Sequence, residues 1–370
     1  MQMVPTADKL PLQSQLPRWV FLQLLESCNL RCRMCYEWGE NGPYREKKIL
    51  HELDIEAVRR IIEDCKPVRP YYELYGGEPL LYRDIEEVLR SISEAGSKVH
   101  FPTNGTLLEK RSDLLTAYPP DRIWVSLDGP PDINDYQRGK GVFAKAVRGI
   151  DKLHALREAK GLCNPQIGIS TVITPTNYRS LETFFFETLD ISKLDCISLE
   201  LQAYITEHDH RNYVGVLRKE FGVQDAPLAR GFVCDPAQFA DIDAGLIARQ
   251  VARIADYCRE RGIYLNTYPK EMTEDNIRKY FSADWFSMTG IKKRCPFPWI
   301  SAEINARGDV TSCHAYYDLT LGNINETGIR EIWQGEKYAK YRSYLRKHLL
   351  PICQACCLYY NEKPMMTAGV

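Results

Sequence analysis

Three cysteines, Cys28, Cys32 and Cys35, stand in the run LLESCNLRCRMCYEWGENGPYR with the spacing C-x3-C-x2-C. Thiolates at that spacing can gather around one iron-sulfur cluster and leave its fourth iron without a protein ligand. An open iron is a place for an exogenous molecule, whereas structural clusters and zinc sites close their coordination with four protein ligands. A zinc site or three buried thiols are the plainer alternatives for the same residues. Further along, YELYGGEPLL sets Gly76, Gly77, Glu78 and Pro79 after an apolar, β-rich run. Two glycines there let the backbone approach a ligand without a Cβ in the way, presenting bare carbonyl and amide groups.

A second set with ligand-like spacing lies near the carboxyl end: Cys295, Cys313, Cys353 and Cys356. Gly308 is placed for a turn between two short strands, AEIN and DVTSC. By spacing alone, four thiolates suit zinc or a closed iron-sulfur cluster alike. Of the other cysteines, Cys65, Cys163, Cys196, Cys234 and Cys258 are scattered singly and read as ordinary apolar residues; Cys357, beside a candidate ligand, stays open. His314 beside Cys313 reads as a polar neighbour of that set. His208 and His210 in YITEHDHRNY lack a third ligand nearby and read as a solvated loop.

The elements that must position these residues alternate. Short β-rich runs, VFLQLL (20–25), YYELY (71–75), KVHFPT (98–103), RIWVSL (122–127), QIGISTVIT (166–174) and CISLELQ (196–202), are separated by amphipathic stretches such as 53–65, 84–96, 143–159 and 180–190. Repeated βα units imply a parallel sheet that can curl into a partial barrel. In such barrels the loops leaving the carboxyl ends of the strands build the active site, and the cysteine triplet, the Gly-Gly pair, Asn104-Gly105 and Asp128-Gly129-Pro130 follow successive strands in that phase. Asp128 is equally suited to capping the turn that follows it. On the sixth strand Glu200 and Gln202 alternate onto one face and are candidates to face the interior. The aromatic runs YYELY and FFF (184–186) read as core.

The 370 residues suffice for a large domain and a smaller one. The expected division is a lead-in over 1–17, a barrel over 18–204, a helical, charged bridge over 205–290, a cysteine-bearing domain over 291–360 and a tail over 361–370. Forty-eight Lys and Arg face 49 Asp and Glu, a net charge of -1, so no global field draws the chain to nucleic acid or an acidic membrane. No run approaches the ~20 apolar residues that span a bilayer, and the start lacks a basic region followed by an apolar core. A cytoplasmic protein is expected, with its 13 cysteines reduced and free to bind metal.

The cysteine triplet and YGGEP, with PTNGT (102–106), VSLDGP (125–130) and YQRGKG (136–141), resemble the radical S-adenosylmethionine (SAM) enzymes. The resemblance implies a partial (β/α)6 TIM-type barrel in which Cys28, Cys32 and Cys35 hold a 4Fe-4S cluster that chelates SAM. It implies that Gly76, Gly77, Glu78 and Pro79 receive the SAM amino group, and that Asn104, Ser126, Arg138 and Glu200 are further SAM contacts. Ser126 would meet the ribose or carboxylate, and Arg138 the carboxylate in a two-pronged geometry. Relatives often carry an aromatic before the third cysteine; here Met34 stands there, able to pack on adenine through its polarizable side chain, and Tyr36 follows.

The segment RCPFPWISAEINARGDVTSCHAYYDLTLGNI…IW…PICQACC resembles the SPASM domain of the same superfamily, a small α+β iron-sulfur domain. That tips Cys295, Cys313, Cys353 and Cys356 from zinc to one auxiliary 4Fe-4S cluster, since no cysteines for a second one follow. Four thiolates would close that cluster, which suits electron transfer. The implied activity is reductive cleavage of SAM to a 5'-deoxyadenosyl radical, with a flavodoxin or ferredoxin as reducing partner, followed by hydrogen abstraction from substrate. Oxidation, epimerisation or crosslinking of a small natural-product precursor is the leading expectation, because only a short segment precedes the barrel. Maturation of a ribosomal peptide with a separate leader-binding partner is the alternative, and a non-catalytic electron carrier the alternative of another class.

Overall fold

The computed structural model describes residues 14–290, 295–311, 313 and 315–360. His314, the Cys357 side chain, the lead-in over 1–13 and the tail over 361–370 lie outside the described residues. Seven parallel strands run in consecutive order: β1 (Trp19–Leu25), β2 (Tyr71–Gly76), β3 (Lys98–Thr103), β4 (Arg122–Ser126), β5 (Gln166–Ile173), β6 (Cys196–Leu201) and β7 (Tyr264–Tyr268). The first six are the runs read from the sequence. Between them lie α1 (Ile55–Cys65), α2 (Ile85–Glu94), α3 (Leu108–Ala117), α4 (Pro131–Arg138) and α5 (Val142–Ala159). The βα repeat is the partial barrel expected of the alternating pattern.

Local signals account for these elements. Asp54 caps α1, its carboxylate accepting from the amides of Glu56 (3.0 Å) and Ala57 (3.1 Å), and the helix buries Ala57, Val58, Ile61, Ile62 and Cys65 along one stripe. β1 is buried over its whole length, as a strand covered on both faces must be. Its Val20, Leu22 and Leu24 join the main core, while Trp19 and Phe21 pack with Tyr75, Phe297 and Tyr317 in a second apolar cluster.

The carboxyl-terminal domain grows out of the same sheet. β8 (Ser301–Ile304) pairs parallel to β1, and β9 (Asp309–Thr311) and β10 (Gly322–Asn323) follow antiparallel. Gly308 takes φ +84 in the β8–β9 turn, a left-handed conformation that glycine adopts without strain. Within 205–290, expected as helical throughout, Tyr264–Tyr268 is a strand that pairs with β6.

The histidine pair is not in a loop. Thr206 and Asp209 form a capping box that starts the helix Glu207–Val216. On it His210 is buried with Nε2 2.9 Å from the Ala226 carbonyl, and His208 is exposed beside Asn212. The scattered cysteines divide: Cys65, Cys196 and Cys258 are buried, Cys234 is half-buried and Cys163 is exposed, contrary to its expected apolar setting.

Candidate active site

The β1 loop and the β2 loop are tied backbone to backbone. The Gly77 amide donates to the Leu25 carbonyl (3.0 Å) and the Glu78 amide to the Ser27 carbonyl (3.0 Å), so the Gly-Gly pair lies directly on the chain that leads into Cys28. A Cβ on Gly77 would stand 2.1 Å from the Ser27 oxygen, and Gly76 adopts φ +142, so both positions require glycine. Glu78 is buried and fully engaged: its carboxylate accepts from the Leu80 amide (3.1 Å), the Thr103 hydroxyl (2.7 Å) and the Asn104 amide (2.8 Å). Its side chain therefore fastens the β2 loop to the β3 loop. Burial pushes the Glu78 carboxyl up, and those hydrogen bonds pull it back. Asn104 in turn donates to Asn29 Oδ1 (2.8 Å), next to Cys28.

One cavity of about 290 Å³ opens at these strand ends. Its walls contain every residue named from the sequence for the SAM site: Cys28, Cys32, Cys35, Met34, Gly76, Gly77, Glu78, Pro79, Asn104, Ser126, Arg138 and Glu200, together with Gln202. Backbone amides point at two of the sulfurs, Leu30 N at Cys28 Sγ (3.4 Å) and Trp38 N at Cys35 Sγ (3.2 Å). Cys32 Sγ lies 3.9 Å from the Arg138 carbonyl oxygen. Desolvation raises the Cys28 thiol to about 11 and the Cys35 thiol to about 12; Cys32 is also raised by burial, with the Arg138 charge opposing. Buried thiols of this kind become thiolates when a cationic centre compensates them, which is what cluster iron supplies. The donor set fits a cluster.

Arg138 has a partner within the protein. Its Nε donates to Asp128 Oδ2 (2.6 Å) and its Nη2 to Asp128 Oδ1 (3.1 Å), and Asp128 also accepts from the Val172 amide (3.0 Å). Asp128 thus orients Arg138 rather than capping its own turn. Removing one member of a buried pair leaves the other charge uncompensated, at a cost of about 3–5 kcal/mol. Asp128→Asn is therefore expected to lower stability by about 3 kcal/mol, read as a fall in the urea midpoint, and to weaken SAM binding in the same preparation; an unchanged midpoint would refute the pairing.

The second cysteine set also converges. Burial raises the Cys313 thiol most strongly, and Cys353, Cys356 and Cys295 add to it as nearby charges; Cys353 is raised in the same way by burial, Cys295 and Cys356. Four thiols that disfavour one another's ionisation again call for a polycationic centre. Tyr213 and Tyr316 are buried beside them.

Between the two sets lies a further chamber of about 260 Å³ that the sequence did not reveal. Glu73, His100, Pro102, Trp124, Ser170, Ser198, Glu200 and Tyr268 line it from the strands, and Tyr36, Phe232, Tyr316 and Cys356 complete its wall. Strand register assembles the wall: Glu73 pairs with His100, Pro102 with Trp124, Ser170 with Ser198, and Glu200 with Tyr268. Tyr36, Pro102, Glu200 and Ala203 belong to both cavities, so the two adjoin. The period-two phase that singled out Glu200 applies equally to Glu73 and His100 and could have found them.

Comparison with known proteins agrees with this arrangement. The family model of the radical SAM superfamily matches residues 22–171, and that of an iron-sulfur cluster-binding domain, SPASM, matches residues 295–357. The chain is 33% identical over 341 residues to the AdoMet-dependent heme synthase of Methanosarcina barkeri, covering 88% of this chain and 85% of that protein. It is 23% identical over 365 residues to the tungsten-containing aldehyde ferredoxin oxidoreductase cofactor-modifying protein of Pyrococcus furiosus, covering 92% and 87%. Among solved structures, Streptococcus suis SuiB bound to S-adenosylmethionine superposes with a TM-score of 0.62 at 18% identity, over 92% of this chain and 72% of that one, a likeness of fold. With a full-length relative at that identity and both family models in place, the chain belongs to the radical SAM superfamily and is an enzyme of its SPASM subgroup.

Proposed function

We propose that this enzyme carries out radical chemistry on a small polar molecule held in the inner chamber. Cys28, Cys32 and Cys35 hold the SAM-binding 4Fe-4S cluster, and Cys295, Cys313, Cys353 and Cys356 hold the auxiliary one. When bound, the first cluster and SAM supply a 5'-deoxyadenosyl radical able to take hydrogen from an unactivated C–H bond. The protein's part is placement. The Gly76 and Gly77 backbone receives the SAM amino group, Arg138 its carboxylate, Ser126 its ribose, and Met34 packs on its adenine. Glu200, at the junction of the cavities, faces SAM on one side and substrate on the other. Tyr36, Phe232 and Tyr316 give the chamber aromatic walls, which favour keeping water from a reactive radical.

The observation that carries this reading is the chamber's place: it adjoins the SAM cavity and reaches Cys356. At about 260 Å³ it has room for a ring the size of a sugar. Electron removal from the substrate by way of the auxiliary site would make the net reaction an oxidation, with a flavodoxin or ferredoxin as the reducing partner of the first cluster. A second reading, a peptide side chain entering the same chamber, is favoured by the fold likeness to SuiB bound to its precursor peptide SuiA.

The test is anaerobic reconstitution followed by incubation with SAM and dithionite. About eight irons in two clusters of four, and release of 5'-deoxyadenosine, are expected. Intact clusters without 5'-deoxyadenosine would replace this reading by that of an electron carrier.

A further inference from the structure

A chain of hydrogen bonds joins the carboxyl-terminal domain to the loop of the cysteine triplet by way of β1. Its centre is Gln23, which is 0% exposed. Gln23 Oε1 accepts from the Ala306 amide (3.2 Å) in the β8–β9 turn, and Nε2 donates to Glu37 Oε1 (3.1 Å) and the Tyr44 hydroxyl (3.2 Å). Glu26, also buried, makes a second tie to the same turn: its Oε1 accepts from Arg307 Nε (3.2 Å), with Nη2 3.1 Å and Lys47 Nζ 3.8 Å from that oxygen. The Glu26 carbonyl accepts from the Trp38 indole (2.9 Å). Glu37 and Trp38 stand two and three residues after Cys35, and the Trp38 amide is the one aimed at Cys35 Sγ (3.2 Å). The turn is braced from its other side. Asn305 Oδ1 accepts from the amides of Arg307 (2.9 Å) and Asp309 (3.0 Å), and Asn323 and Asn325 each donate to the Arg307 carbonyl (3.2 Å).

We propose that Gln23 and Arg307 are positioning residues for SAM, through which the β8–β9 turn of the carboxyl-terminal domain sets the loop that carries Cys35. The proposal rests on the radical reading above and gives that domain a role separate from electron transfer. Gln23 and Arg307 are not among the described residues lining the SAM cavity, whereas Glu37 and Trp38 are, so the first pair acts through the second. A buried polar network whose members are all bonded favours one arrangement, and the loss of one member leaves the others unsatisfied. Leu in place of Gln23 fills a similar volume but takes the partner from the Ala306 amide and a donor from Glu37. The loop then keeps its thiols and loses its register against β1, and small misplacements in a positioning element carry large functional costs.

Anaerobic titration of SAM into reconstituted enzyme, followed through the electron paramagnetic resonance of the reduced SAM-binding cluster, tests this in Gln23→Leu, Arg307→Ala and Arg307→Lys. Iron count and urea midpoint are read on the same preparations. Each variant is expected to keep about eight irons. SAM affinity is expected to fall about tenfold in Gln23→Leu and several-fold in Arg307→Ala. Arg307→Lys, which keeps a cation for Glu26 without the fork, is expected to fall between Arg307→Ala and the wild type. Arg346→Ala, at an exposed arginine just after the helix Glu336–Leu345, is expected to leave SAM affinity unchanged. Wild-type affinity in Arg307→Ala overturns the proposal, as does a lowered urea midpoint with unmoved affinity, which would make the contact merely structural. An equal loss in Arg346→Ala overturns it too, and iron lost from the SAM-binding cluster of Arg307→Ala overturns it in favour of a folding role. The Arg307 side chain is 43% exposed and Lys47 stays beside Glu26, so Arg307→Ala decides the case even where Gln23→Leu does not fold. Formation of 5'-deoxyadenosine by the wild type separates the two readings: cleavage with unmoved affinities sinks the role of the turn alone, and absence of cleavage from intact clusters sinks the radical reading.

Discussion

Cys32→Ala is expected to reduce 5'-deoxyadenosine formation to the level of a protein-free control while the second cysteine set keeps its cluster. A cluster with an open iron has three protein ligands, so the loss of one leaves two thiolates and no site to hold it. Iron per chain should fall from about eight to about four. The remaining cluster should keep its electron paramagnetic resonance signal, because the two cysteine sets lie on different elements: Cys28 to Cys35 follow β1, whereas Cys313 follows β9 and Cys353 and Cys356 lie beyond the last long helix. Folding should survive, because the Cys32 sulfur is half-buried beside Arg138, 3.9 Å from its carbonyl, and lies outside the apolar core. The measurement pairs an iron count with chromatographic assay of the nucleoside. Cleavage that persists in the variant would mean that these cysteines are not the ligands, and loss of both clusters would mean that the two sites are not independent.

What could be read from the sequence, and what could not, follows from distance along the chain. The triplet and the Gly-Gly-Glu-Pro run were legible because each carries its chemistry within a few consecutive residues. Six strands were legible because each is a compact apolar run followed by a helical stripe. β7 was not: YLNTY is half polar, begins at the exposed Tyr264, and becomes a strand only because β6 offers it an edge. Nor was the parallel pairing of β8 with β1, which joins Trp19 to Ser301 and has no local signature. Thr206-x-x-Asp209 did carry a local signature, that of a helix start, and reading His208 and His210 as a loop overlooked it.

The roles inside the site divide along the same line. Arg138 and Glu78 were legible as functional types, but not their partners: Asp128 and Thr103 reach them through the fold. The inner chamber is the extreme case. Glu73, His100, Ser198 and Tyr268 come from four strands, and only the register of the sheet says that they face one space.

Gly77→Ala is expected to cost about a hundredfold or more in SAM affinity, a loss out of proportion to the one methyl group added. The new Cβ would stand 2.1 Å from the Ser27 oxygen, 2.3 Å from the Ser27 carbonyl carbon and 2.7 Å from the Cys28 amide nitrogen. All three are backbone atoms, so no side chain can swing aside, and the β1 and β2 loops must part by about 1 Å to restore contact distance. Separation by that much breaks the bonds from Gly77 N to Leu25 O and from Glu78 N to Ser27 O that set the two loops against each other. A misplacement of about 1 Å in a positioning element costs about 10²-fold where geometry governs function, whereas overpacking itself costs only about 1–3 kcal/mol of stability. Binding should therefore collapse in a protein that still folds, with the auxiliary cluster as the internal check on folding. Gly215→Ala is the matched control: that glycine lies in the helix Glu207–Val216 with open space where the Cβ would go, so SAM affinity should be unchanged and stability unchanged or raised by up to ~1 kcal/mol. Titration of SAM into both reconstituted variants decides the matter. Equal affinities would show that the tight contact between the loops does not shape the site, and the assignment of the Gly76–Gly77 backbone to the SAM amino group would fall with it.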